Sequence, residues 1–277
     1  MMAHDSRHTG ASPLRYLTLL AVTIVMVGPL LWMLRVALAP VGTDLTPESL
    51  FTFDFSLVSF TDLFSDNGVI RPTVNSLLVG LIVTLGNVAF CFVSGYALAR
   101  KRFVGGKALF AVTLLILMVP AHILIVPLFL LITKLGMFDS YWALTLPFLV
   151  SPIGVFMVKQ YVETLPVSLE EAARLDGAGE MRTLFSVVAP ICRPILAVLA
   201  IQTFLVNWNS FLFPFILTNS ADLRTLPVAL ALMQGHQAID WQHLMAGSTV
   251  AVAPVLIVFI IFQRKIVSGI TAGAIKQ

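Results

Sequence analysis

Charge is what this chain has least of. Asp, Glu, Lys and Arg make up 11% of its 277 residues, where an ordinary soluble domain carries about a quarter. None of the four falls in the middle of a long apolar run, and Arg35 stands only near one end of the first. That gap weighs against a proton-driven carrier, which places a titratable group at mid-membrane, although coupling to sodium through backbone carbonyls stays open. Catalytic chemistry is also missing. There is no phosphate-binding glycine loop, no HExxH and no GxSxG. His4, His8, His122, His236 and His243 show no metal-ligand spacing apart from the isolated pair His236 and His243, seven residues apart in an outer loop, which reads as solvated surface. A membrane-embedded enzyme is therefore the least favoured class. Two cysteines, Cys91 and Cys192, suggest neither a disulfide nor a metal site.

What is present is apolar: 58% of the residues. Six runs are long enough to cross roughly 30 Å of hydrocarbon: Tyr16 to Leu38, Val74 to Leu98, Ala108 to Ile132, Tyr141 to Val158, Ile195 to Leu217 and Leu244 to Phe262. The expected fold class is an all-α membrane protein with six transmembrane helices. Of the 17 Lys and Arg, all but Arg35, Arg71, Lys134 and Arg224 lie on tails and loops that share one side. By the positive-inside rule that side is the cytoplasm, which makes both termini cytoplasmic and residues 1–15 a cytoplasmic tail. Asp44, Glu48, Asp54, Asp62, Asp66, Asp139, Asp222 and Asp240 fall on the other side. The formal charge of +3 thus reports topology and implies no nucleic acid. A cleaved signal after Ala37-Leu38-Ala39 is rejected: the first run is too long for a signal core of about 7 to 15 residues, and Pro40 follows directly.

Neutral polar groups do enter the runs: Asn75, Ser76, Asn87, His122, Gln202 and the cluster Asn207, Trp208, Asn209 and Ser210. Interhelical hydrogen bonding is the plain reading of each. The last cluster, followed by Pro214, also combines amides, an indole and a kink suited to the passage of a polyhydroxylated solute. Asn75, Asn87, Trp208 and Asn209 are the candidate pathway residues, with packing as the standing alternative. Prolines at 29, 120, 127, 147, 152, 214 and 254 permit kinks. The loop from Ala39 to Thr73, acidic and with Phe51, Phe53 and Phe55, is either a short interfacial helix or strand, or a solvated loop.

Between Pro166 and Pro194 the chain turns polar, as Ser168-Leu-Glu-Glu-Ala-Ala-Arg-Leu-Asp-Gly-Ala178. Ser168 with Glu171 predicts a capping box, Glu170 with Arg174 an i,i+4 ion pair, and Gly177 a left-handed helix stop. Two turns are too short to stand alone, so the helix needs something to pack against, and Ala172 and Ala173 leave a flat face for a partner. After Gly179 the spacing of Met181, Leu184, Phe185 and Val188 predicts a second helix lying along the membrane surface, with Arg182, Thr183 and Ser186 on its other side.

These residues carry a resemblance. Glu171-Ala172-Ala173, three residues, then Gly177, followed by Pro190 and preceding the fifth run, resembles the EAA signature of ATP-binding cassette importer permeases. Leu165, Pro166, Ser168, the Asp176-Gly177-Ala178 triplet, Asn75-Ser76, Tyr96 to Arg100, Trp208-Asn209 and the tail Gly269 to Ala274 look like its carbohydrate branch, which includes the maltose and glycerol-phosphate importers. The resemblance implies the six-helix type I importer permease fold as a single transmembrane domain over 1–277. It implies a multi-pass place in a prokaryotic inner membrane, and a coupling loop 160–193 with its EAA helix at about 169–176. It also implies a heterodimer with a second permease, two ATPase subunits holding ATP and Mg, and an extracytoplasmic solute-binding protein. A sugar-like solute and membrane lipid complete the partners. This chain itself would bind no cofactor and catalyse nothing. Glu170, Glu171, Ala172, Ala173, Arg174, Asp176 and Gly177 are the coupling residues by that resemblance, and Gly273 a tail contact, although Gln277 stands where the family's ending has Gly. The rivals are a permease of the same class for another small polar solute and a stand-alone secondary carrier.

Overall fold

A computed structural model describes residues 13–44, 46, 54–65, 68–233 and 240–274, with side chains up to residue 263. Arg7, His4, His8, Glu48, Phe51, Phe53, Asp66, His236, Lys276 and Gln277 lie outside the described residues. All regular structure among them is helical. In chain order it runs α1 (Pro13–Ala37), α2 (Val58–Ser65), α3 (Ile70–Arg100), α4 (Gly106–Leu117), a 3-10 turn (Ala121–Leu124), α5 (Ile125–Lys134) and α6 (Tyr141–Thr145). A second 3-10 turn (Leu146–Phe148) leads into α7 (Pro152–Glu163), α8 (Ser168–Leu175) and α9 (Glu180–Arg182). A π-helical run (Thr183–Val188) is followed by α10 (Ala189–Ile191), α11 (Arg193–Trp208), α12 (Leu212–Leu217), a 3-10 turn (Ala221–Leu223), α13 (Leu226–Leu232) and α14 (Trp241–Ala274). Four helical segments, Pro13–Ala37, Ile70–Arg100, Tyr141–Glu163 (α6 to α7 taken together) and Trp241–Gln263, are long and apolar enough to cross a membrane, or up to six if each of two bent helix pairs is one span.

The chain divides into two compact units. The first comprises Met1–Asn67 and Met233–Val250. Its α1 is apolar all round and buries only Val36 and Ala37 at its end, as a helix bathed in lipid does. Within the Ala39–Thr73 loop, α2 buries Ser59 and Leu63, so that loop contains a short helix. Gln242 donates to the Thr43 carbonyl at 2.8 Å, and the His243 ring meets Asp240 at 2.7 Å and Asp62 at 3.3 Å.

The second unit, Gly68–Leu232 with Ala251–Gln277, is built around α3. Its buried stripe runs Asn75, Val79, Val83, Asn87, Cys91, Phe92 and Tyr96, at the spacing of one helix face. Small residues let α3, α7 and α11 approach closely. A Cβ on Gly95 would stand 2.8 Å from the Val158 side chain and 2.9 Å from the Lys159 amide; one on Gly154 would stand 2.8 Å from Cys91 Sγ and 3.0 Å from Leu199. Val155, Val158, Val162, Leu184, Val188 and Leu199 fill the core where these helices meet.

Several expected helices are broken. The run from Ala108 to Ile132 is not one helix but α4 and the 3-10/α5 segment, bent by 97°. Pro120 has no amide to donate and drives Val119 away from helical geometry. The Tyr141 run breaks before Ser151, whose side chain then caps α7 through the Gly154 amide at 3.2 Å with Pro152 at the first helical position. The Ile195–Leu217 run stops at Trp208 and resumes at Leu212, and Glu180–Ile191 meets α11 at 77°. The helix expected after Gly179 widens into the π-helical run, which buries Thr183 rather than turning it outward.

Candidate functional site

The polar segment folds as expected in outline, with a different anchor. Helix α8 begins at Ser168, and the preceding Val167 makes no side-chain cap, so the expected capping box is absent. The amides of Glu170 and Glu171 bond instead to the Val167 carbonyl, at 3.0 and 3.1 Å. Placing Ser168 inside the helix removes its hydroxyl from the capping position, while the two glutamates in the first turn still favour the positive end of the helix. The far end stops as predicted: Gly177 takes φ +80°, the Ala178 amide bonds to the Ala173 carbonyl at 2.9 Å and the Gly177 amide to Arg174 at 3.0 Å. That pair of bonds is a Schellman stop, which needs a residue tolerant of left-handed geometry at Gly177.

Glu170 turns inward. Only 3% of its side chain is exposed; it accepts from Arg100 Nε at 2.7 Å and from the Tyr96 hydroxyl at 2.9 Å, both at the end of α3. Arg100 also donates to the Leu165 carbonyl at 2.7 Å, which ties the start of the segment to the same point. The Arg174 pair predicted at i,i+4 is the longest contact, at 4.0 Å. Lys101 pairs with Glu180 beyond the helix stop. Glu171, Ala172, Arg174, Asp176 and Gly177 remain exposed, Ala173 is half-buried, and Leu175 is 90% exposed, with Leu169 and Met181 also exposed. Helix α8 is thus a short knob, fixed by one buried acid to the end of α3 and presenting an outer face with apolar tips. Sequence reasoning missed Tyr96 and Arg100 as its partners. The available signal was their i,i+4 spacing on one face of the second run, opposite two consecutive glutamates.

Midway along α3, Asn87 gathers partners from the broken Tyr141–Glu163 run and from α11. Its Nδ2 donates to the Phe148 carbonyl at 3.2 Å, while its Oδ1 accepts from Ser151 at 3.1 Å and Thr203 at 3.4 Å. Asn75 is also enclosed: it donates to the Asp222 and Arg224 carbonyls at 2.8 and 2.9 Å and accepts from Tyr141 at 2.7 Å. Trp208 donates its indole N–H to the Ala251 carbonyl at 2.9 Å and stacks on Phe204. Of the four pathway candidates only Asn209 is exposed, its amide bonded to the Leu205 carbonyl at the end of α11. At the other end of the unit, Asp139, itself at φ 57°, accepts from the amides of Asn219 and Ser220 at 2.8 and 3.0 Å and from the Ser220 hydroxyl. Those three donors hold its carboxyl below the usual carboxylate range. Gly273 falls on the backbone of α14 where side-chain surroundings lie outside the described residues.

A short helix anchored on a proline-broken, charge-poor bundle is the arrangement of a membrane transport component. The chain belongs to the family described as binding-protein-dependent transport system inner membrane component, whose model matches residues 88–272. It is a permease of the ATP-binding cassette importers, a transport component and not an enzyme, and a multi-pass inner-membrane protein. It is 36% identical over 245 residues to the arabinooligosaccharides transport system permease protein AraQ of Bacillus subtilis, covering 88% of this chain and 84% of that one. It is 34% identical over 260 residues to the trehalose/maltose transport system permease protein MalG of Thermococcus litoralis, covering 92% and 93%. Among solved structures, a bacterial ABC transporter involved in the import of the acidic polysaccharide alginate superposes with a TM-score of 0.80 over 95% of this chain and 98% of that chain, at 19% identity. That likeness establishes the fold as the importer permease type.

Proposed function

We propose that this chain is one of two different permease subunits of a sugar importer, a single transmembrane domain crossing the membrane six times with both termini in the cytoplasm. Two ATPase subunits, which hold the ATP and Mg, would dock on the exposed face of α8, and a binding protein would deliver the solute from the far side. The sugar assignment rests on the relatives, whose names specify arabinooligosaccharides, trehalose and maltose. The six spans rest on the four long helical segments with the two bent pairs counted as one each, and the orientation on the distribution of Lys and Arg.

The observation that carries the coupling role is the anchoring of α8. Closure of the ATPases on ATP would draw the knobs of both permeases together. Glu170 passes that displacement to Arg100 and Tyr96, and so to α3 and the helices packed on it, converting an inward-facing bundle to an outward-facing one. Glu171, Ala172, Ala173, Arg174, Asp176 and Gly177 form or terminate the docking face, while Glu170 holds the knob. Gly273 is proposed as a tail contact with the ATPases. Of the pathway candidates, Asn209 keeps an exposed amide for a solute hydroxyl, whereas Asn75, Asn87 and Trp208 spend their polar groups inside the chain. Affinity purification from native membrane in mild detergent tests the assembly. A second permease and a subunit with a phosphate-binding glycine loop should come with this chain; recovery of the chain alone, active in uptake by itself, would establish the secondary carrier instead.

A further inference from the structure

His122 is the one imidazole that the sequence places inside an apolar run, between Lys107 and Lys134 and at the break between α4 and α5. It is exposed on this chain. Its ring stacks on Phe213 of α12 at 5.9 Å with 27° between planes, and Phe213 meets Phe148 edge-on at 5.2 Å. Phe148 closes the 3-10 turn whose carbonyl receives Asn87, so His122 sits on the aromatic edge of the layer where three helices are interrupted. Inside a membrane-spanning run, non-helical backbone and an ionisable ring are tolerated against protein or water, not against lipid. Stacking onto the bundle's own aromatic cluster turns the ring to that side.

We infer that His122, seated on Phe213, is a solute-contacting residue of the passage: its ring nitrogens hydrogen-bond sugar hydroxyls while the aromatic pair offers an apolar plate to the sugar's C–H face. This rests on the reading of the chain as a sugar permease. The test uses the complete importer in proteoliposomes with an arabinooligosaccharide, trehalose and maltose as probes. His122→Phe, which keeps a stacking ring and removes the hydrogen bond, should lower kcat/KM for the transported sugar about fivefold to tenfold, the worth of one hydrogen bond. His122→Asn should recover part of that loss. In a second measurement, the His122→Cys variant should react with a charged, water-soluble thiol reagent, and the transported sugar should slow the reaction. Wild-type kcat/KM in His122→Phe, no labelling of the thiol in His122→Cys, or a reaction indifferent to the sugar would each overturn the inference. A wild-type complex that moves none of the three sugars would refute these three as its solutes, and labelling at position 122 would still decide whether the break faces water.

Discussion

Replacing Glu170 by Ala removes one partner of a pair that is almost wholly enclosed, with 3% of the Glu170 side chain and 11% of Arg100 exposed. Arg100 would keep its bond to the Leu165 carbonyl but lose its counter-charge, and Tyr96 would lose its acceptor. Breaking a buried pair from one side costs about 3–5 kcal/mol, because the remaining charge stays desolvated. Helix α8, two turns long, has no other buried polar tie of this kind among the described residues, so the loss should fall on its docking. The assay is twofold: thermal stability of the purified complex in detergent, and sugar moved per ATP hydrolysed in proteoliposomes. Glu170→Ala should lower both. Replacing both members by Met should recover most of the stability, since an apolar pair of similar volume leaves no stranded charge. Wild-type stability and coupling in Glu170→Ala, or losses in the double variant that simply add, would refute the assignment of Glu170 as the anchor.

Gly177→Val forces a branched residue into φ +80°, with open space around it, so the penalty is backbone strain of about 1–2 kcal/mol at the helix stop. The complex should assemble while ATP hydrolysis runs uncoupled from uptake; normal uptake would sink the idea. Gly154→Val adds atoms where a Cβ already stands 2.8 Å from Cys91 Sγ, and overpacking of this kind costs about 1–3 kcal/mol. The yield of monodisperse protein on size exclusion should fall, whereas Gly179→Ala, with nothing within 4 Å, should match wild type. The carboxyl of Asp139 is depressed by its hydrogen bonds, so its stabilisation is complete above the unfolded carboxylate pKa of about 4 and is lost as pH falls through the lower folded value. Proteolysis of the 218–225 loop should therefore be flat between pH 8 and about 5 and rise only in stronger acid; Asp139→Ala should be cut readily at every pH.

How much of this was legible depended on the range of the interaction. Gly177 could be read because a helix stop is decided by the chemistry of a few neighbouring residues, and the apolar runs because length and composition suffice. The capping box failed because α8 begins one residue early, at Ser168 itself, while the tie that fixes the helix is tertiary, with Glu170 reaching Arg100, 70 residues away in the chain. The breaks at Met118–Pro120 and Asn209–Phe211 were marked only by prolines that occur as readily inside continuous helices. For Asn75, Asn87 and Trp208 residue type left solute contact and packing equally open, and their donors bond to the carbonyls of Asp222 and Arg224, Phe148 and Ala251, partners far away in the chain that no local spacing reveals. Thr183 turned inward because the π-helical run shifts the register assumed from a period of 3.6.

The most direct test of a permease that transduces and does not energise transport is uptake of radiolabelled sugar into proteoliposomes holding either this chain alone or the full complex, with and without internal ATP. Accumulation in the full complex with ATP, and none in the other three conditions, is the predicted result. Accumulation by the chain alone under an ion gradient would contradict the account.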